Sequence, residues 1–205
     1  MVETAELLLH PLLILVTAFT YFTAMGLLHE VGHWLAGLLA GGDCRVTWVR
    51  HGMTIALSTQ ATFRGGVKPA QDLLFTLGGP LLHLCANLPF LVQGGIPELQ
   101  FLAEISLVLI ATNLLPVLPC DGYYLLQTAR AAWGKSNFVP ALVVLQWALF
   151  AGVAGPGLWL AFHTLANSAV GTVGRITLGV LGLVVLLRWG ARLIRIARAP
   201  GLAGN

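Results

Sequence analysis

Charge is what this sequence has least of. Of its 205 residues, 9% are Asp, Glu, Lys or Arg, against 57% that are hydrophobic, where an ordinary globular domain carries about 25% charged residues. So little charge cannot cover a surface that faces water, which excludes an ordinary soluble domain. Cysteine is also scarce: Cys44, Cys85 and Cys120 are scattered and odd in number, which excludes a disulfide framework and a cysteine-based zinc signature. A net charge of +3 would raise the question of nucleic acid in a soluble protein. Here the basic residues sit between and after the apolar runs, where they report topology, so no nucleic-acid partner is expected. Met1 to Glu6 holds two acids and no Lys or Arg, so no cleavable signal is expected either.

Long apolar runs are what the chain has in quantity. Five are long enough to span a bilayer, which takes about 20 helical residues: Leu7 to Ala40, Leu73 to Val92, Leu99 to Leu118, Val139 to Leu165 and Ile176 to Trp189. Gly152, Gly155, Pro156 and Gly157 could break the fourth run in two, so six spans are possible. The expected fold is an all-α, multi-pass protein of the cell membrane. With five spans, Arg45, Arg50, Arg64, Lys68, Arg130, Lys135, Arg188, Arg192, Arg195 and Arg198 fall on one side and Arg175 alone on the other. Basic loops stay in the cytoplasm, so the N-terminus is expected outside and the basic tail inside, against anionic lipid. His10 and His163 fall near the outer face, and Tyr123, Tyr124 and Trp133 with Arg130 and Lys135 suit a short helix at the interface.

Between the first two spans, Arg45 to Arg50 and Met53 to Ser58 form two β-rich runs around His51-Gly52, the pattern of a β-hairpin. Such a hairpin is marginal alone and is expected to lean on the membrane domain or interface. His51, a turn histidine beside glycine, reads as solvated rather than as a ligand. One membrane domain is expected over 1–205. Its core is 7–126, with the hairpin loop at 42–69, and 127–205 supplies accessory helices and the tail.

Chemistry concentrates at His29-Glu30-Val31-Gly32-His33. Four residues apart on a helix, the two histidines share a face and can bind one Zn²⁺, with Glu30 beside the open position. Ionisable groups are costly in hydrocarbon and mark function there. A third ligand is needed. The third run ends in Asn113-Leu114-Leu115-Pro116-Val117-Leu118-Pro119-Cys120-Asp121-Gly122, where two prolines stop a regular helix. The first and third spans run in the same direction, so their ends reach the same side and Asp121 is the carboxylate best placed to join the histidines. Asp121 could instead cap the helix that begins at Gly122. In the second run, Gly78-Gly79-Pro80 breaks the helical pattern, and its small residues permit close helix approach. His83 and Asn87 follow on one face, either as packing residues bonded across helices or as lining of the site.

Taken together, the two motifs resemble the site-2 protease family of intramembrane zinc metalloproteases, which pairs H-E-x-x-H in one membrane helix with N-x-x-P-x-x-x-L-D-G in a later one. Here these are His29, Glu30 and His33, then Asn113, Pro116, Asp121 and Gly122. Gly79-Pro80 resembles the family's intervening Gly-Pro segment, and the hairpin resembles its β-element. The likeness covers about Leu12 to Leu126. Cys120 stands where Leu is usual and His83 where Asn is common. Without a PDZ-like insertion or nucleotide-sensing domain, the chain is similar to a minimal member. The resemblance implies one Zn²⁺ on His29, His33 and Asp121, Glu30 as general base, and Asn113 as a donor to the oxyanion or substrate backbone. Pro116, His83 and Gly79 would border a transmembrane or membrane-anchored peptide substrate, with the site toward the cytoplasm. Two rival readings are a zinc or divalent-metal transporter, since some carriers hold H-E-x-x-H in a membrane helix, and an inactive scaffold that binds membrane peptides.

Overall fold

The computed structural model describes residues 2–51, 54–92, 95–117, 120–134, 138–167 and 171–197. The side chains of 2–8, 49–51, 54–56 and 192–197 lie outside the description. Outside it therefore fall the His51 side chain, Gly52 and Met53 of the expected hairpin turn, Pro119, Lys135, Arg198 and the side chains of Arg192 and Arg195.

Six helices and one two-stranded sheet are formed by the described residues: α1 Val2–Leu39, β1 Asp43–His51, β2 Thr54–Thr62, α2 Pro69–Val92, α3 Pro97–Asn113, α4 Asp121–Trp133, α5 Phe138–Asn167 and α6 Thr172–Ala197. Four helical stretches are long and apolar enough to cross a membrane, in α1, α2, α5 and α6. The third expected span is realised differently: α3 has 17 residues and ends at Asn113, short of Leu118. It is buried along its length, with Phe101, Leu102, Ala103, Ile105 and Ala111 all nearly inaccessible. Its run contains Glu104, and protein rather than lipid surrounds that carboxyl. The expected breaks are absent. Helix α2 continues through Pro80 and α5 through Pro156, because a proline ring removes one backbone bond that a long packed helix can forgo.

Polarity is inverted relative to a water-soluble protein. Phe19, Val144, Phe162 and Leu187 project outward, while Asn87, Glu104, Ser106 and Gln146 are buried. Ile14, Ala18, Tyr21 and Met25 of α1 pack with Leu102 and Ile105 of α3 and Leu178 of α6 in the main apolar core. His10 near the start of α1 lies 3.8 Å from Glu98 at the start of α3, so α1 and α3 begin at the same end and run side by side, as expected.

Helices α1 and α2 cross with their backbones in contact. A Cβ on Gly32 would lie 2.3 Å from the Gly78 carbonyl oxygen, and one on Gly78 would lie 2.4 Å from the Gly32 oxygen. Only glycine at both positions allows this approach, which sets the depth at which the H-E-x-x-H turn meets α2. The hairpin pairs antiparallel in a register of Asp43 with Thr62, Thr47 with Ser58 and His51 with Thr54. Its strands run past the expected limits, Met53 to Ser58 continuing to Thr62.

Substituting Gly32→Ala or Gly78→Ala is expected to cost about 1–3 kcal/mol, the scale of overpacking a tight contact. Gly26 has open space around its Cβ position, and Gly26→Ala should be neutral or gain up to about 1 kcal/mol of helix propensity. Thermal unfolding of the purified protein in detergent distinguishes the two.

Candidate metal centre

Three ligand atoms from two helices converge. On α1 the Nε2 atoms of His29 and His33 lie 3.1 Å apart. Asp121 brings Oδ2 to 3.1 Å from His29 Nε2 and Oδ1 to 3.4 Å from His33 Nε2. Tetrahedral zinc with bonds of 2.0–2.1 Å separates its ligands by about 3.3–3.4 Å, and the two imidazoles and the carboxylate, each of whose oxygens faces a different ring, approach one another at a similar spacing. Together the three side chains form the one group of at least three metal-capable residues found among the described residues.

Local structure explains the convergence. The chain leaves α3 through Leu115-Pro116-Val117, where Val117 N–H bonds the Leu115 carbonyl at 2.8 Å. It enters α4 with Cys120 as the extended N-cap residue, which makes no side-chain capping bond. Asp121 is thus the first residue of α4 and not its cap, and its carboxylate turns toward the histidines. Gln146 of α5 donates to the Gly122 carbonyl at 2.8 Å, and Thr128 donates to Asp72 of α2. Both bonds clamp the helix that carries the third ligand. On α4, burial and the nearby Asp121 carboxylate push the Tyr124 phenol up, so it stays neutral.

The ligands are themselves oriented. His33 Nδ1 lies 2.7 Å from the Phe75 carbonyl. Its Nδ1–H donates there, which leaves the Nε2 lone pair facing the site. Asn113 Nδ2 donates to Asp121 Oδ2 at 2.6 Å and lies 3.2 Å from His29 Nε2. The amide expected only to meet substrate therefore lies against the ligands. A Cβ on Gly79 would fall 2.3 Å from His33 Nε2, which makes that glycine a wall of the site. Pro116 belongs to the turn between α3 and α4 and is not part of the ligand triangle. The His83 ring is 5.8 Å from that of His29, and its Nε2 lies 2.8 Å from Ser106 Oγ. Further inward, Tyr21 bonds Asn87, and Asn87 donates to the Ala103 carbonyl at 2.9 Å. His83 thus combines both expected roles, bonded across helices and placed beside a ligand.

Glu30 is held from an unexpected direction. Its Oε2 accepts from Thr59 N–H at 2.8 Å and from Thr59 Oγ at 2.9 Å. Thr59 lies one residue beyond the expected end of the second β-run, and only the alternation of that strand could have pointed to it. Also overlooked was Glu104, which is 1% exposed and accepts from Thr164 at 2.8 Å and Gln100 at 3.1 Å. A carboxylate within an apolar run was the available signal. The chain matches no protein-family model. No curated protein and no solved structure matches it.

If the three side chains hold a divalent cation such as zinc, replacing Asp121 or His29 by Ala should abolish its stoichiometric binding. Asn113→Ala should keep one site but weaken it about 10- to 100-fold, the usual effect of losing an outer-shell partner. Gly79→Ala should weaken it by displacing His33. Competition titration against a zinc chelator reads all four.

Proposed function

We propose that this chain is an intramembrane zinc metalloendopeptidase of the site-2 protease type, acting on membrane-embedded or membrane-anchored peptides. The observation that carries the reading is the triangle of His29, His33 and Asp121, with Glu30 in the adjacent sequence position on the same helical turn. Two imidazoles and a carboxylate are a donor set of zinc hydrolases and also of non-haem iron enzymes. A general-base carboxylate built into the His-containing turn favours hydrolysis.

On this reading the protein crosses the cell membrane five times. Helix α3 carries the chain from the end of α2 back to the site and makes the buried crossing. The N-terminus is outside, and the site lies toward the cytoplasm.

A zinc ion bound there would supply Lewis-acid chemistry, lowering the pKa of a bound water to about 7 as in other zinc hydrolases. His29, His33 and Asp121 would hold the ion. Glu30 takes a proton from the attacking water as the new C–O bond forms, and delivers it to the amine nitrogen as the C–N bond breaks. Asn113 fixes the Asp121 carboxylate with one N–H, and its second N–H is the donor for the developing oxyanion. Gly79 lets the His33 ring pack directly against α2, and His83 lines the same face of that helix. A transmembrane helix hides its own amides and must unwind before attack. The hairpin, docked beside Glu30, offers an edge on which an extended segment can be held.

Glu30→Gln should retain zinc and lose cleavage by about 10²- to 10⁴-fold, the usual contribution of a general base. Comparing membrane proteomes of cells carrying wild type and Glu30→Gln would reveal accumulating substrates. Undiminished cleavage of those substrates by Glu30→Gln would overturn the assignment. Zinc uptake into proteoliposomes carrying the wild type would favour a transporter.

A further inference from the structure

Thr59 makes two hydrogen bonds to a single carboxylate oxygen, and that carboxylate belongs to the residue on which the proposed hydrolysis depends. Its backbone N–H and its hydroxyl lie 2.8 and 2.9 Å from Glu30 Oε2, and the hydroxyl is also 3.0 Å from the Glu30 carbonyl oxygen. Thr59 is 9% exposed, so water competes little for these bonds. A strand residue opposite Val46 would be expected to direct its N–H either to β1 or to the free edge. Here it is given to α1, so β2 turns this edge toward the catalytic turn. Bonds to an ionised acceptor are roughly twice as strong as neutral ones, and two of them on one oxygen fix the carboxylate's orientation.

The geometry points to Thr59 as the positioning residue of Glu30: the hairpin is a latch that holds the general base in place. This inference rests on the proposed hydrolase reading and extends it. It joins two features that the sequence presents separately, the H-E-x-x-H turn and the β-element. An extended peptide added to this edge of β2 meets Thr59, so substrate engagement and orientation of the base converge on one residue. The hydroxyl can keep Glu30 in place when the N–H is drawn toward a substrate carbonyl.

The test uses the full chain in detergent micelles, with fluorescein-labelled casein as an unfolded probe that needs no helix unwinding. Thr59→Val keeps the shape and the N–H but removes the hydroxyl. It is expected to lower kcat about tenfold with KM within about twofold and zinc content unchanged, because it disturbs a group that acts in the transition state. Thr59→Ser should restore most of kcat. A second readout needs no substrate: in Glu30→Ala, hydrogen exchange should accelerate in the peptide containing Thr59 and stay unchanged in the peptide of β1. Wild-type kcat in Thr59→Val overturns the inference, as does unaltered exchange at Thr59 in Glu30→Ala. So does an equal loss in the Ser and Val variants. Cleavage that persists in Glu30→Gln overturns the hydrolase reading instead and leaves the latch to the exchange measurement.

Discussion

Asp121 meets two imidazoles that lie on a helix much earlier in the chain, and most of the architecture serves that meeting. Each ligand would be costly to bury alone: neutral histidines lose hydrogen bonds to water, and an isolated carboxylate loses far more. Brought within 3.1 to 3.4 Å of one another, they turn their electron pairs toward one another, an arrangement that a shared cation could satisfy. Two features of the backbone permit this. The glycine contact between α1 and α2 sets the depth of the histidines, and the turn after Asn113 lets the chain enter α4 with Asp121 in its first position.

Around the ligands the polar groups follow one logic. Phe75 fixes the tautomer of His33, Asn113 fixes the Asp121 carboxylate, and Thr59 fixes Glu30. The apolar exterior and the buried pairs His83–Ser106 and Tyr21–Asn87 are two sides of the same constraint. In an apolar surround every buried donor needs a partner inside the protein, and here those partners come from the neighbouring helices α1, α2 and α3. The small hairpin, marginal alone, gains its position from a bond to the same helical turn.

Much of this was legible in the residues. His29, Glu30 and His33 announce themselves by spacing, because a helix places residues four apart on one face. Asp121 could be named because prolines end the preceding helix and parallel runs bring their ends together. The hairpin was legible from β-rich runs around a glycine. What could not be read depends on distances between elements. A glycine pair in contact looks like two unrelated glycines, and proline-containing segments that suggested breaks in α2 and α5 are continuous helices. Thr59 is one hydroxyl in a strand, and nothing local says which helix it faces. Glu104 was visible as a charge in an apolar run, with Gln100 one turn earlier on the same helix, but its partner Thr164 is brought to it only by the packing of α3 on α5.

The central claim is that His29, His33 and Asp121 together hold one zinc ion. X-ray absorption at the zinc edge on the purified, zinc-loaded full chain tests it most directly. The account predicts one equivalent of zinc with a first shell of nitrogen and oxygen only, at about 2.0–2.2 Å, including two imidazoles. A sulfur shell at about 2.3 Å, which would place a cysteine such as the neighbouring Cys120 on the ion, or a preparation that holds no stoichiometric zinc, would contradict it.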